Sequence, residues 1–387
     1  MKIGPVKIME AGEGLVLAQA KTSSAGAPDF LWYTIPRRYS NLLSGLCDGP
    51  LVGLLIPSMA RGEDIYVEGP VSERLYHNVS GPYQDLLKIM IPSLERINIF
   101  SGDLVRNKAR GDGVATGFSA GVDSFSVVAD YYFSDVPSSF KLTHLVFNNV
   151  GSHGPAGERL FERRFNHVEL IADRIGLPLV KINSNLDDFY DESLSFERTH
   201  TSRNASVALL LQGGLGRFLY ASAFSYPDIK VVPGAKMGHS DAMALPLIST
   251  DTLDLISAGG ERSRVGKTIQ LADFPVTYDA LDVCVREDSD RNCSVCDKCM
   301  RTLLTLDMAG LINKYEDSFD LGKYRREKYR YIRKMLTKND ALTREILSYA
   351  NRVGYDFSKK DLFFACLRRP KGVLKQRLRR RFPGLYE

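Results

Sequence analysis

The sequence predicts an α/β protein with a doubly wound parallel sheet, and three observations support this prediction. Between residues 111 and 310, short apolar runs alternate with segments of helical spacing. The runs are almost wholly apolar, which is typical of strands that are buried on both faces. Small and acidic residues follow the first run directly, where such sheets bind their ligands. We therefore expect a parallel sheet that is covered by helices on both sides.

The individual elements follow from the same spacing. Apolar runs predict four parallel strands, at residues 114–118, 142–147, 179–182 and 229–232. The segments between them predict helices at residues 124–133, 157–175 and 204–223. This alternating region is expected to form one domain, at residues 111–310.

The flanking regions have a different character. Residues 1–110 mix strand-like runs, such as "EDIYVEGPV", with helical spacing and turn signals, which predicts an N-terminal α+β domain of unknown role. Residues 311–387 predict a helical extension with a basic bias. We therefore expect three domains, with boundaries near residues 110 and 310.

Composition excludes several classes of protein. The chain has 387 residues, of which 44% are hydrophobic and 25% are charged, as in ordinary globular proteins. It contains no apolar run of about 18 residues and no apolar leader at its N-terminus, so we expect a cytoplasmic protein without a membrane span. Its 6 cysteines are too few and too clustered for a secreted disulfide scaffold.

Charge is distributed unevenly along the chain. Residues 321–387 carry 20 Lys and Arg against 6 Asp and Glu, a net charge of +14. Because the whole chain has a net charge of +5, the other 320 residues sum to −9. Such a basic region can bind nucleic acid or another polyanion. The alternative is a solvated helical surface on which the interleaved tyrosines only pack.

The stretch "SAGVDS", from Ser119 to Ser124, stands where the first predicted strand turns into a helix. A helix N-terminus at the end of a strand offers N–H groups to an anion, and small residues let the backbone approach it. Asp123 is unexpected beside an anion unless a divalent metal or a positioned water is involved, so it indicates one of these two. The alternatives are a turn without a ligand and an Asp123 that only caps the helix.

This stretch resembles the pyrophosphate-binding loop of the PP-loop ATP pyrophosphatases, which is usually written SGGxDS. The resemblance implies a HUP-type fold, similar to the adenine nucleotide alpha-hydrolases, and cleavage of ATP between its α and β phosphates. Ala120 stands where the family usually has its second glycine. The implied ATP-binding residues of the loop are Phe118, Ser119, Ala120, Gly121, Val122, Asp123 and Ser124.

A second motif lies in "CVREDSDRNCSVCDKCMRT". Its four cysteines have the spacing C-x8-C-x2-C-x2-C, and four thiolates in so short a span suit tetrahedral Zn²⁺. An iron–sulfur cluster and four cysteines without a metal are the alternatives. The predicted zinc ligands are Cys284, Cys293, Cys296 and Cys299.

Together the two motifs resemble the 7-cyano-7-deazaguanine synthases, the QueC-like branch of the superfamily. "RVGKTIQLADF" resembles the segment that places a lysine, here Lys267, near the phosphates. "TSRNASVALLL" resembles the segment that opens a long helix with Arg203 and Asn204. "FNNVGSHG" departs from the family pattern at Asn148 and His153, which indicates a different substrate or a rebuilt pocket.

These similarities imply roles for individual residues. Asp123, Lys267 and His153 are the expected catalytic residues, and His153 would relay a proton from an amine. Arg203 and Asn204 complete the expected ATP site. Arg203 would pair with a phosphate or a carboxylate, and Asn204 would contact the base or only cap its helix. For His153 the alternative is a surface histidine without a role, and for Lys267 a solvated helix lysine.

His239 and Asp241, in "GAKMGHSDAM", follow the last predicted strand and could reach the same crevice. The alternative is that both residues belong to a plain polar loop without a role.

The expected function is ATP-dependent adenylation of a carboxylate, which forms AMP and pyrophosphate, followed by attack of ammonia or an amine to give an amide or a nitrile. The implied cofactors are ATP, Mg²⁺ and Zn²⁺. A tRNA-modifying PP-loop enzyme is one alternative, and a catalytically inactive nucleotide-binding module is another. The sequence leaves two further partners open, a second copy of the chain and a nucleic acid bound by the basic extension.

Overall fold

The computed structural model describes residues 1–106, 109–154, 157–284, 286 and 292–368, with side chains up to Phe363. The chain divides into two compact units, Met1–Arg262 and Ser263–Glu387. Unit one contains all of the described strands, whereas the described part of unit two is helical. The division falls at Arg262, and the two boundaries expected from the sequence, at residues 110 and 310, lie inside the units.

Unit one is built around a long mixed sheet. The described strands, in chain order, are β1 (Lys2–Ile3), β2 (Lys7–Gly12), β3 (Leu15–Ser23), β4 (Phe30–Pro36), β5 (Ile65–Val67), β6 (Val71–Ser72), β7 (Ile99–Ser101), β8 (Leu104–Val105), β9 (Gly113–Gly117), β10 (His144–Asn148), β11 (Leu179–Ser184), β12 (Leu215–Ala221) and β13 (Asp254–Ala258).

Helices cover this sheet and form unit two. In unit one they are α1 (Asp48–Arg61), α2 (Glu73–Val79), α3 (Pro82–Met90), α4 (Val122–Val128), α5 (Gly157–Ile175), α6 (Phe196–Leu210) and α7 (Asp241–Leu247), and in unit two α8 (Arg264–Gln270), α9 (Asp297–Met308), α10 (Leu321–Met335), α11 (Ala341–Arg352) and α12 (Lys359–Arg368). A π-helical turn, Ala129–Phe133, continues α4. None of the described helices is long and apolar enough to cross a membrane.

The strands β9 to β13 form the parallel half of the main sheet. Their spatial order is β13-β12-β9-β10-β11, and each neighbouring pair is parallel. The chain therefore starts in the middle at β9, builds outward to β11 and returns to the other side of β9 with β12. The predicted α/β class with a mostly parallel central sheet is confirmed, and the reversal of strand order between β9 and β12 is compatible with a doubly wound fold.

The N-terminal strands continue the same sheet. The strand β4 pairs with β11 in antiparallel orientation, with Thr34 opposite Asn183. From β4 the sheet extends through β3, β1 and β5 to β7, while β2 pairs with β3 outside this path. The strands β6 and β8 pair separately. The N-terminal region is α+β, as the sequence predicts, but its main strands share the sheet of the parallel half.

The fourth parallel strand was predicted at the wrong place. Residues 229–232 form no strand, and Val232 is exposed. The fourth strand is β12, which the sequence analysis placed inside a helix at residues 204–223. The helix ends at Leu210, with Leu211 as its C-cap, because Gly213 and Gly214 follow shortly and favour a turn. A side chain at Gly213 would collide with the backbone of Leu43.

Helix α1 is the most deeply buried helix of the N-terminal region. Every residue from Asp48 to Met59 is buried. The helix lies against α6, and Gly49 allows this approach, because a Cβ atom there would lie 2.7 Å from the backbone oxygen of Ser206. The buried apolar side chains of both helices belong to one core with those of the sheet.

We expect Gly49→Ala to lower the free energy of unfolding by about 1–3 kcal/mol, because the added methyl group overpacks the contact between α1 and α6. Thermal or urea unfolding measures this change. The matched control is Gly45→Ala, because a methyl group at Gly45 would meet no atom within 4 Å among the described residues. Equal stability of the two variants would contradict the packing argument.

Unit two contains its own small core. Side chains from α8, α9, α10 and α11 form it, among them Val265, Leu304, Ile332 and Ile346. Side-chain caps define where the basic helices begin, since Asp320 accepts a hydrogen bond from the Lys323 amide at 2.8 Å. Asp340 likewise caps α11. The predicted helical character of the C-terminal region is confirmed for the described residues.

Candidate functional site

The loop after β9 continues the strand for one residue and then turns. The Phe118 amide donates to the Val146 carbonyl of β10 at 2.8 Å, so Phe118 is still anchored to the sheet. Its ring is buried and packs edge-on against Phe125 of α4, with centroids 5.1 Å apart. Phe118 and Val122 are both buried, which holds the two ends of the loop in place. The remaining loop residues lie at the carboxyl end of the central parallel strand.

The turn itself depends on a left-handed residue. Ala120 has a φ of 55° and is fully buried. This conformation costs an L-residue about 1–2 kcal/mol. Gly121 follows as the N-cap of α4, with an extended backbone and without a side-chain cap. Ala120 stands where the PP-loop proteins that the motif resembles usually have glycine. The structure gives it a positive φ, a backbone conformation that glycine favours.

Hydroxyl and carboxyl groups surround this turn. The Ser124 Oγ donates to the Gly121 carbonyl at 3.1 Å and accepts from the Ser119 amide at 3.4 Å. Ser119 is exposed, and Asp123 is half-buried in the first turn of α4. Because Gly121 is the N-cap, the alternative role of Asp123 as the N-cap is excluded. The loop therefore presents one exposed hydroxyl and one carboxylate beside the first turn of a helix.

We expect Ala120→Gly to raise the free energy of unfolding by about 0.5–1 kcal/mol, because glycine adopts positive φ without strain but loses more chain entropy on folding. Denaturant unfolding measures the difference. The control is Ala129→Gly, in the helical backbone just after α4, where glycine should destabilise by about 1 kcal/mol. Destabilisation of both variants would contradict the strain assigned to Ala120.

Arg203 and Asn204 were expected from the sequence to open their helix, but the structure places them inside it. They lie in the middle of α6, whose N-cap is Ser195. The Arg203 guanidinium is 2% exposed, forms an ion pair with Asp187 and lies 3.5 Å from the centre of the Tyr190 ring. These contacts satisfy the buried guanidinium of Arg203 within unit one, and its expected pairing with a phosphate or a carboxylate stays a prediction.

His153 is buried rather than exposed on a surface loop. It is 4% exposed and packs edge-on against Phe147 and Phe161. Its Nδ1 lies 3.2 Å from Oδ1 of Asn149. Burial, assisted by the charge of Arg164, lowers the pKa of His153 to about 4. A histidine with this pKa is neutral at neutral pH and is a weak base there, which argues against the expected proton relay.

Lys267 lies in unit two and is only 2% exposed. The alternative of a solvated helix lysine is therefore excluded. Its helix α8 is capped by Ser263, whose side chain accepts from the Gly266 amide at 3.0 Å. The proposed contact of Lys267 with phosphate stays a prediction.

His239 and Asp241 have different surroundings. His239 stacks on Phe224, with ring centroids 3.6 Å apart, and its Nδ1 lies 2.8 Å from the Asp228 carbonyl, so it is held by its neighbours. Asp241 is 1% exposed and accepts from the Thr201 hydroxyl at 2.6 Å. Beside it lie polar groups that the sequence analysis missed, from His200, Thr201 and Tyr220. Tyr220 was missed because its strand was predicted as helix.

The four clustered cysteines converge in unit two. The Sγ atoms of Cys284, Cys293, Cys296 and Cys299 all lie within 4.8 Å of one another. The Sγ of Cys299 is 3.5 Å from that of Cys296 and 3.9 Å from that of Cys293. A tetrahedral ion with Zn–S bonds of about 2.3 Å has sulfur atoms about 3.8 Å apart. The cluster could therefore hold a metal ion such as zinc.

Neighbouring residues fix these cysteines. Asn292 is buried, accepts from the Val283 amide at 2.9 Å, and donates to the carbonyls of Leu281 and Ser318 at 2.7 and 3.1 Å. It thus joins the two ends of the cysteine loop. Ser294, with a φ of 62°, forms the tight turn between Cys293 and Cys296.

Helix α9 presents the last two cysteines. Cys296 is its N-cap residue, and Cys299 lies in its first turn. Asp297 pairs with Lys334 of α10 and with Lys338 just after α10, each at 2.8 Å, and so links the start of α9 to the end of α10. Helix α9 and these ion pairs therefore link the cysteine cluster to the helical core of unit two.

We expect Cys296→Ser to lower the melting temperature and the yield of folded protein, because a metal held by four thiolates contributes its binding free energy to folding. Elemental analysis should find about one zinc ion per chain in the unaltered protein. Cys47→Ser, a buried cysteine of unit one outside the cluster, is the control and should retain the metal. Iron with visible absorbance would indicate a cluster instead, and four free thiols without metal would contradict a metal centre.

The last part of the basic C-terminal extension, residues 369–387, lies outside the described residues. Of the interleaved tyrosines, Tyr324 and Tyr349 are buried and Tyr331 is largely buried, which confirms packing roles. Tyr329 is 54% exposed on α10. The exposed face of α10 also carries Arg325, Arg326 and Arg330.

Comparison with known proteins adds no family assignment. No protein-family model matches the chain, and no curated protein and no solved structure is significantly similar to it. The fold and the sites define an α/β protein with a mostly parallel central sheet and a four-cysteine cluster suited to a metal ion. The resemblance to the PP-loop and QueC-like proteins rests on the motifs quoted above.

Proposed function

We propose that this chain is an AMP-forming, ATP-dependent ligase of the PP-loop type, with a HUP-like fold and QueC-like chemistry. The observation that carries the proposal is the position of the loop Phe118–Ser124. It follows the central parallel strand β9 and borders the point where strand order reverses between β9 and β12. Ligands of open α/β sheets bind at such a point.

The chemistry of the loop supports a phosphate ligand. The N–H groups in the first turn of a helix have no partner within that helix, and the helix dipole is positive there. The turn at Ala120 brings this backbone and the exposed Ser119 to the carboxyl end of the sheet. The carboxylate of Asp123 would compete with a phosphate unless Mg²⁺ stood between them, since Mg²⁺ binds both carboxylate and phosphate oxygens.

In the proposed reaction, a substrate carboxylate attacks the α-phosphate of ATP and pyrophosphate leaves. Ammonia or an amine then attacks the acyl-adenylate, and AMP leaves. The cysteine cluster would hold zinc as a structural ion, because four thiolates leave no open coordination position.

The first test is the identity of the nucleotide products. With an acid substrate present, we expect AMP and pyrophosphate, and we expect Asp123→Asn to reduce turnover by at least about 100-fold because the metal loses a carboxylate ligand. Chromatography of the nucleotides measures both. Asp135→Asn, on the surface beyond α4, is the matched control and should keep full activity. ADP and phosphate as products would contradict the proposal.

One observation favours the tRNA-modifying alternative. The exposed face of α10 combines the cations of Arg325, Arg326 and Arg330 with the exposed ring of Tyr329, which suits a phosphate backbone with stacked bases. Arg330 approaches Glu327 at 3.4 Å but keeps 86% of its side chain exposed, so most of its charge faces solvent.

If this face binds tRNA, we expect affinity to fall steeply with salt and the double variant Arg325→Glu, Arg326→Glu to weaken binding about 10-fold or more. Fluorescence anisotropy with labelled tRNA measures this. The double variant Arg37→Glu, Arg38→Glu, at two exposed cations of unit one, changes the net charge by the same amount and is the control. Binding that is independent of salt, or absent, would leave the face as a solvated surface.

A further inference from the structure

Tyr220 lies at the end of β12, beside the loop that follows β9. The register of the two strands pairs Phe218 with Ala115, so its continuation by two residues sets Tyr220 next to Gly117. Paired residues of neighbouring strands project to the same face of a sheet. Gly117 directly precedes Phe118, so Tyr220 stands at the base of the proposed ATP-binding loop.

The space beside Gly117 is open. A Cβ atom built on Gly117 would have no heavy atom within 4 Å among the described residues outside its chain neighbours. Ala115 and Phe218, two positions earlier on their strands, belong to the core that also contains the buried face of α6. The open space therefore lies on the α6 side of the sheet. Two half-buried residues of that helix, His200 and Asn204, flank Tyr220 there.

Hydrogen bonds lead from this space into the protein. The Tyr220 hydroxyl lies 2.8 Å from Nδ1 of His200 and accepts from Nδ2 of Asn204 at 3.1 Å. The same Nδ1 lies 3.4 Å from the hydroxyl of Thr201. Thr201 in turn donates to Oδ1 of Asp241 at 2.6 Å. A chain of exchangeable protons thus joins the open space to a buried carboxylate.

Asp241 is an unusual residue to bury. It is 1% exposed, and its Oδ2 has no hydrogen-bond partner among the residues that the structure describes. Burial raises its pKa to about 7, although the hydrogen bond from Thr201 lowers it. An isolated buried carboxylate is costly, so its presence needs a chemical reason.

The titratable groups around Asp241 are neutral near pH 7. Tyr83 faces it from α3 and Tyr220 from β12, and burial raises the pKa of both phenols. His200 of α6 reaches it through Thr201, and burial lowers the pKa of His200 to about 4, although the charge of Glu197 opposes this. Asp241 is therefore the group of this network that changes its charge near neutral pH.

We propose that the space beside Gly117 binds the nitrogen nucleophile, ammonia or a primary amine, and that Tyr220, His200 and Thr201 pass its proton to Asp241. This inference rests on the proposed function, because it requires an acyl-adenylate. The oxygen and imidazole acceptors of the lining match a ligand with N–H donors. Asp241 acts through these three side chains and is a positioning residue, whereas Tyr220 contacts the nucleophile.

The step balances without a further reactant. The nitrogen lone pair forms a bond to the acyl carbon, and the bond from that carbon to the AMP oxygen breaks with its electron pair on AMP. The surplus proton of the nitrogen moves to the Tyr220 oxygen. The Tyr220 proton moves to Nδ1 of His200 and from there to the Thr201 oxygen. The Thr201 proton moves to Oδ1 of Asp241, which later loses it to solvent.

The test separates the two half-reactions. Exchange of labelled pyrophosphate into ATP reports adenylation, with the acid that supports AMP formation in the product assay above, and amide formation is followed with ammonium chloride as the nucleophile. We expect Asp241→Asn to keep pyrophosphate exchange and to slow amide formation at pH 7.5 by about 100-fold. At a constant concentration of free ammonia, the unaltered protein should show amide formation rising through pH 7 as Asp241 ionises, and the variant should lose this rise. Asparagine retains an acceptor for Thr201, so the fold should be kept.

Two further variants complete the experiment. Gly117→Val fills the open space and should raise the KM for ammonium while pyrophosphate exchange and melting temperature are retained. Asp188→Asn removes an exposed carboxylate whose pKa is also raised, and it should leave both half-reactions unchanged. An unchanged pH profile in Asp241→Asn would overturn the inference. If the unaltered protein catalyses no exchange, the proposed function fails and the inference fails with it.

Discussion

The central strand β9 is the constraint on which the arrangement of unit one depends. It is hydrogen bonded to β10 on one side and to β12 on the other, so both halves of the parallel sheet are placed relative to it. The chain leaves β9 through a left-handed turn at Ala120, which carries it into α4. A strained residue is kept only where its surroundings enforce it, and such positions are concentrated at functional sites.

Two kinds of buried charge in this protein have different physical explanations. Arg203 is buried with an ion pair, carbonyl acceptors and an aromatic ring around it, so its charge is satisfied inside unit one. Asp48 is similarly satisfied by Ser72 and Gln212. Asp241 retains an oxygen without a partner among the described residues. Incomplete satisfaction is therefore a better indicator of a ligand site than burial of a charge alone.

The sequence predicted the parts of the fold whose signals are local. The alternation of apolar runs and helical spacing located β9, β10, β11 and α5, and the cysteine spacing located a cluster whose sulfur distances suit a metal ion. The prediction was wrong at residues 204–223, where tertiary packing determines the secondary structure. A continuous apolar pattern there spans a helix, a Gly-Gly turn and a strand. The pairing of β4 with β11 was not predictable, because strand partners distant in sequence leave no local signal. The network of His200, Thr201 and Tyr220 was missed for the same reason.

We propose that the loop from Phe118 to Ser124 holds the phosphates of ATP at the carboxyl end of β9. The most direct measurement is a crystal structure with Mg²⁺ and α,β-methylene-ATP, an analogue that cannot be cleaved between its α and β phosphates. We expect density for the β and γ phosphates against the first turn of α4, with Mg²⁺ next to Asp123. Density for the analogue at another place, with the turn at Ala120 vacant, would contradict it.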